Sequence, residues 1–150
     1  MPINTTFTSG QILTAAQQNS LPFGVVDYKS GTTTQTAINT VTDITGLSIT
    51  WTAIANRVYM AQFNLNPYGE AGDSSNQLIV LDSVAVFQNR RNFTTLNVID
   101  STSGQYFFTT SAGSHTIKIQ MSKAGTNNVN NFADGGTFAC NFALFDLGAR

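Results

Sequence analysis

From Phe23 onward, apolar and polar residues alternate along the chain. Leu47, Ile49, Trp51 and Ala53 interleave with Ser48, Thr50 and Thr52. Tyr59, Ala61, Phe63 and Leu65 interleave with Met60, Gln62 and Asn64. The same period recurs at Ile117, Ile119 and Met121, and at Phe138, Cys140, Phe142 and Leu144. A period of two places successive side chains on opposite faces of a strand, so each run predicts a strand with one face in a core. Leu78–Leu81 and Val84–Phe87 are apolar on both faces, which predicts central strands or strands covered by a neighbouring subunit. Further strands are predicted at Phe23–Lys29, Ala37–Ile44, Phe93–Ile99 and Tyr106–Thr110. Turn-forming residues separate them, at Gly31, Gly46, Ala55-Asn56, 67–76, 89–92, 101–104, Ala112-Gly113 and 125–136. Roughly eight to ten strands at this spacing predict an antiparallel β-sandwich or jelly roll.

Residues 1–22 differ in character and read as an arm preceding a jelly-roll domain at 23–150. Thr14 followed by Gln17 fits a capping box. Ala15, Ala16, Gln17 and Gln18 favour helix, and Pro22 forbids its continuation. A helix of about two turns is not stable alone in water, so it must pack on something. Its own domain and another subunit both remain open as that surface. Phe7, Ile12, Leu13 and Leu21 are the apolar docking candidates of the arm.

Composition narrows the function classes. Hydrophobic residues make up 41% of the chain and charged residues only 10%, against about 25% in ordinary soluble domains. So little charge suggests that partners cover much of the surface. A net charge of −1 with no basic run argues against nucleic acid as a ligand. The adjacent pair Arg90-Arg91 reads as a solvated turn or an interface contact. No apolar stretch is long enough to span a bilayer, and Met1-Pro2-Ile3-Asn4 does not resemble a secretory leader. Synthesis in a cytoplasm, with no secretory export, is therefore expected, any release being by cell lysis within a particle, and the two Asn-x-Thr matches at Asn4 and Asn92 carry no glycosylation argument.

Candidate chemistry is sparse. Cys140 is the sole cysteine, so neither an intrachain disulfide nor a cysteine zinc site is possible, and its phase with the phenylalanines predicts a buried apolar role. His115 is the sole histidine and reads as an exposed turn residue, with no nucleophile elbow around any serine. The eight carboxylates are scattered, and most fall at expected strand ends where Asp caps turns, which argues against the closely spaced pair that glycoside hydrolysis needs. Glu70 and Asp73 share a loop offering oxygens to Ca²⁺, without the spacing of a calcium motif. No enzyme and no cofactor are expected. Phe107-Phe108 and Phe145 beside Leu144 place large apolar groups on both faces of their strands, which an oligomer, a loop or the arm would bury.

Three stretches resemble tailed-phage structural proteins. Phe7, Gly10, Leu13-Thr14-Ala15-Ala16 and Asn19, continued by Leu21-Pro22-Phe23-Gly24-Val25-Val26, are similar to an N-terminal signature of that group. Thr45 to Tyr59, with Thr52-Ala53-Ile54-Ala55-Asn56-Arg57-Val58-Tyr59 at its end, is similar to a stretch in small phage head and tail proteins. The ending Phe142-Ala143-Leu144-Phe145-Asp146-Leu147-Gly148 resembles their final strand, which closes in Asp-x-Gly. Residues 66–137 match only in rhythm. The resemblance implies a virion location, a jelly roll like those of tumour-necrosis-factor-like proteins, and a homotrimer.

Three functions follow as expectations. The first is a capsid decoration or cement protein that trimerises and clamps the major capsid protein, with its arm crossing a subunit boundary. The second is a tail-tip or fibre-head module that binds a host glycan or protein. Its reading surface would be Tyr68, Glu70, Asp73, Arg90, Arg91 and the 127–131 loop with Asn128 and Asn130. The third, a glycan depolymerase, lacks any acidic or nucleophilic constellation.

Overall fold

The computed structural model of the protein describes Ile12, residues 14–134 and residues 138–150. It is an antiparallel β-sandwich of jelly-roll type, preceded by the short helix α1 (Ala15–Ser20). Thr14 caps α1 as its spacing to Gln17 predicts. The Thr14 hydroxyl accepts from the Gln17 N–H at 3.2 Å, and the Gln17 side chain accepts from the Thr14 N–H at 3.0 Å.

Two four-stranded sheets enclose the core. One runs β1 (Gly24–Gly31), β11 (Cys140–Ala149), β4 (Arg57–Leu65), β8 (Thr102–Phe108). The other runs β3 (Thr42–Ala53), β9 (Gly113–Lys123), β6 (Ser74–Leu81), β7 (Val84–Asn92). A small third sheet of β2 (Gln35–Ile38), β10 (Val129–Asn131) and β5 (Pro67–Tyr68) closes one pole. The core is drawn from the alternating runs: one sheet contributes Leu47, Ile49, Trp51 and Ala53 on β3 with Ile117, Ile119 and Met121 on β9, and the other Tyr59, Ala61, Phe63 and Leu65 on β4 with Cys140, Phe142 and Leu144 on β11.

Several predicted boundaries move. Gly46 lies inside β3, where the register shifts between Asp43 and Ser48. Its φ of 82° supports a bulge that returns Leu47 to the inward phase three residues after Ile44. Residues 89–92 and 102–104, predicted as turns, belong to β7 and β8, so Arg90-Arg91 stands on a strand. Phe93–Ile99 is a loop. The Phe93 backbone bonds Asp73 and Gly72, and Asn97 takes a left-handed φ of 54°, which together end the ladder. The predicted Ala37–Ile44 strand is split, because Ala37 has a φ of 56° and β2 stops at Ile38. Leu78–Leu81 is central as predicted. Val84–Phe87 is not: it opens β7, which among the described residues is an edge strand paired only with β6, and Val84 is exposed.

Candidate interaction surface

The first sheet turns an ordered face away from the core. Its cross-strand register builds three rows: Val25–Phe145–Met60–Phe107, then Tyr28–Ala143–Gln62–Gln105, then Ser30–Asn141–Asn64–Ser103. None of these side chains is charged. The rows grade from fully apolar to amide and hydroxyl along the strands. Val25 is 60% exposed and Phe107 57% exposed. A groove of about 310 Å³ opens on this face among Tyr28, Gln62, Asn64, Ser103, Asn141, Ala143 and Phe145. The other sheet presents a different outer surface. There Thr50 bonds Thr116 across the ladder at 2.9 Å, and Asp43 pairs with Lys118 at 2.9 Å and accepts from Gln120 at 2.7 Å. Lys118 and Gln120 hold the Asp43 carboxyl below the usual range even though burial pushes it up. The three rows of the first sheet therefore offer an uncharged surface, with the Lys29–Asp27 pair of β1 standing at its edge.

The two poles also differ. The arm root lies where β4 begins and β11 ends. There the Arg57 guanidinium makes a two-pronged bond to Asp146, Nε to Oδ2 at 2.6 Å and Nη2 to Oδ1 at 2.7 Å. Both side chains are only 3% exposed. Arg57 Nη2 also donates to the Leu21 carbonyl at 2.6 Å, and the guanidinium sits 4.0 Å from the centroid of the Phe23 ring. Asp146 Oδ1 accepts from the Gly148 N–H at 2.8 Å.

His115 stands near that pole, on β9 rather than in the exposed turn predicted for it. Its side chain is 12% exposed and rests against Trp51, with ring centroids 5.7 Å apart. Nδ1 lies 2.5 Å from Asp82 Oδ2. Nε2 lies 3.1 Å from the Ser111 carbonyl and 3.1 Å from Thr110 Oγ1. His115 and the Thr116 N–H hold the Asp82 carboxyl below the usual range. An acid, an imidazole and hydroxyls thus meet, but Nε2 faces a backbone acceptor. The ring is braced as a strut between the β6–β7 and β8–β9 turns, with Nε2 within reach of both a carbonyl and a hydroxyl.

The opposite pole gathers most of the residues predicted to contact a receptor. Tyr68 and Asn130 are register partners on the small sheet. Asn130 Oδ1 accepts from the Ala37 N–H at 2.9 Å. Glu70 accepts from Asn127 at 2.9 Å, and Asn128 is exposed beside it. Asp73 is buried, not exposed as expected, because it staples the 125–127 turn: its carboxylate accepts the N–H groups of Thr126 and Asn127 at 2.8 and 3.2 Å. Burial pushes its carboxyl up, and those donors outweigh burial and bring it below the usual range. Arg90 donates to Ser74 Oγ and to the Ala124 carbonyl, and Arg91 pairs with Asp100. Tyr68, Phe132 and Phe138 form an edge-to-face aromatic chain, with centroids 6.4 and 5.5 Å apart. Of the arm candidates, Ile12 is 89% exposed and Leu21 is half-buried, while Phe7 and Leu13 lie outside the described residues.

Arg57 and Asp146 were missed as functional residues. Their signal was available: Arg57 is in phase with Tyr59 and Ala61, and Asp146 with Phe142 and Leu144. Opposite charges at inward positions of two strands imply a buried pair.

Among the described residues no group of His, Cys, Asp and Glu could hold a metal ion, and no helix is long and apolar enough to cross a membrane. No family model matches the sequence, and no curated protein matches it. Similarity to solved structures is one of shape. Eiger TNF from S. frugiperda superposes over 87% of this chain and 95% of that chain, with a TM-score of 0.55 and 9% identity. Murine APRIL superposes over 80% of this chain and 98% of that chain, with a TM-score of 0.52 and 9% identity. The insecticidal delta-endotoxin Cry8Ea1 from Bacillus thuringiensis is covered over only 19% of its length, with 73% of this chain, a TM-score of 0.46 and 14% identity. At such identities the likeness shows the fold alone, and that fold is the jelly roll of tumour-necrosis-factor-like proteins.

Proposed function

We propose that this chain is a structural protein of a tailed-phage particle: a decoration, or cement, protein that assembles as a homotrimer and clamps neighbouring copies of the major capsid protein. The observation that carries self-association is the uncharged outer face of the first sheet, with Val25, Met60, Phe107 and Phe145 aligned in one row. Sister copies packed on its three rows remove apolar area from water at about 25 cal/mol per Å² and desolvate no ion there. A closed ring leaves no unsatisfied copy of the face, and several identical arms then bind the particle together. The phage assignment is supported by the resemblance of the arm, the Arg57 stretch and the final strand to tailed-phage proteins. In this reading the protein works on the outer surface of the virion, has no catalytic role, needs no cofactor, and binds neither nucleic acid nor a bilayer interior.

A second reading is favoured by the opposite pole. Tyr68, Asn130, Glu70 and Asn127 converge there, away from the arm, as a tail-tip or fibre-head module would display residues to a host glycan or protein. Sedimentation of the purified chain tests self-association: a species of three copies is expected, against 16.1 kDa for one. Phe107→Glu with Phe145→Glu should yield single copies, while Thr50→Glu on the other sheet should not. A wild-type chain that sediments as one copy at micromolar concentration overturns the reading. Copies per particle then separate the two locations, hundreds for decoration and a few dozen or fewer for a tail.

A further inference from the structure

The three stretches that resemble phage proteins lie far apart in sequence, yet their polar and aromatic groups meet at one point. Arg57 belongs to the Ala55-Asn56-Arg57-Val58-Tyr59 stretch, Asp146 and Gly148 to the Asp-x-Gly ending, and Leu21 and Phe23 to the arm. Each stretch has a local reason to deliver its group there. Asn56 takes a left-handed φ of 61°, so the β3–β4 turn is tight, and the Tyr59 hydroxyl pins that turn by accepting the Ile54 N–H at 2.9 Å. Arg57 is therefore the first residue of β4 and points inward. On β11 the register shifts between Asp146 and Ala149, and Gly148 takes a φ of 104°. This bulge turns the Gly148 N–H onto Asp146 and leaves the carboxylate facing Arg57. The arm then supplies what the ion pair leaves open: a carbonyl for the guanidinium edge and a ring for its face.

We infer that Arg57, oriented by Asp146, is a clasp that fixes the root of the arm on its own jelly roll, so that the segment Gln18–Phe23 is ordered before any partner is met. A guanidinium this buried needs its donors satisfied and its charge balanced. Asp146 accepts two of those bonds and Leu21 a third. Releasing the arm would strip the Leu21 carbonyl and the Phe23 ring from a cation that has little water to replace them. The arm root is thus held by the same group that closes the sandwich. Of the two docking surfaces the sequence left open, the arm root uses its own domain. Preorganisation of this kind removes ordering entropy from a later binding step.

Backbone ¹⁵N relaxation on the full chain, free of any particle, tests the clasp. Order parameters at Gln18, Leu21 and Phe23 should be about 0.8 or above, as in the strands, and Arg57→Lys should lower them below about 0.6. Lysine keeps the charge but lacks the planar fork that bonds Asp146 through two nitrogens while reaching Leu21. Phe23→Ala is the second variant, because Phe23 is more than half exposed and its loss leaves the sandwich core untouched. It should also lower the values at Gln18 and Leu21 while those of β4 and β11 hold. If Arg57→Lys unfolds the sandwich, Phe23→Ala alone decides. Wild-type values below about 0.6, or values unchanged in Phe23→Ala, overturn the clasp. The experiment contains no phage component, so its failure is distinct from a failure to bind particles or to self-associate.

Discussion

Trp51 packs edge-on against Tyr59, with ring centroids 5.8 Å apart and planes at 62°. Tyr59 also stacks on Phe108, and its hydroxyl holds the Ile54 N–H. This aromatic group ties β3, β4 and β8 together beneath the arm pole. Trp51→Ala should cost about 3–5 kcal/mol in urea unfolding, the range for deleting a buried aromatic. Tyr59→Phe keeps the ring but removes the partner of the half-exposed Ile54 N–H, and should cost about 0.5–1.5 kcal/mol. A loss below about 1 kcal/mol for Trp51→Ala would mean that the cluster does not carry the core as its burial implies.

The Arg57–Asp146 pair should show the asymmetry of buried ions. Asp146→Ala leaves the guanidinium without its counter-charge and should destabilise by about 3–5 kcal/mol. The double variant Arg57→Met with Asp146→Leu should recover a large part of that loss, because no buried charge is left unpaired. Equal losses for the single and double variants in denaturant unfolding would refute this account of the pair.

Acid should unfold the protein through a small set of carboxylates. Lys29 beside Asp27, Lys118 beside Asp43, the turn amides on Asp73 and His115 beside Asp82 each leave the folded carboxyl below its ordinary value. The ionised forms therefore favour the fold. Their contribution is complete above the ordinary carboxylate value of about 4 and is lost as pH falls through the depressed folded-state values. Urea midpoints should fall steeply below about pH 4, and Asp73→Asn should shallow that fall while loosening the 125–127 turn. A midpoint in the variant with the same acid dependence as wild type would remove Asp73 from the set.

Cys140 should be chemically silent. Burial pushes its thiol up, and the sulfur lies 3.2 Å from Asn131 Nδ2 with no exposed surface. Iodoacetamide should label it only in denaturant. Rapid labelling of the native chain would indicate that the small sheet opens readily.

Gly104 should tolerate no side chain. A Cβ there would come within 2.6 Å of Phe63 and 2.7 Å of Phe87, the two rings that meet across the sandwich. Gly104→Ala should cost about 1–3 kcal/mol by overpacking, measured by thermal unfolding.

The alternating runs made the sandwich legible, because period-two burial is a local property of the chain. Thr14 and Gln17 made the helix start legible for the same reason. What stayed hidden depends on contacts distant in sequence. Phe93 is apolar enough for a strand, but its backbone is claimed by Gly72 and Asp73. Val84–Phe87 reads as central or as covered by a neighbouring subunit, and nothing in its composition says that, among the described residues, no strand lies beyond it. His115 follows a turn, and only its register with Trp51 reveals that it is covered. Asp73 sits in a loop-like sequence, and its burial appears only once the 125–127 turn folds over it. Arg57 and Asp146 are 89 residues apart, and a single sequence gives no pairing between them except the shared inward phase.

The clasp also fixes the chain's geography. Arg57 draws the arm root to the pole where the Arg150 N–H meets the Asn56 carbonyl, so both ends of the sandwich's chain leave from one side. A fluorescent tag or enzyme appended after Arg150 would crowd the arm root. Foreign peptides grafted between Thr94 and Val98, at the far side, would stand clear of that traffic and point outward.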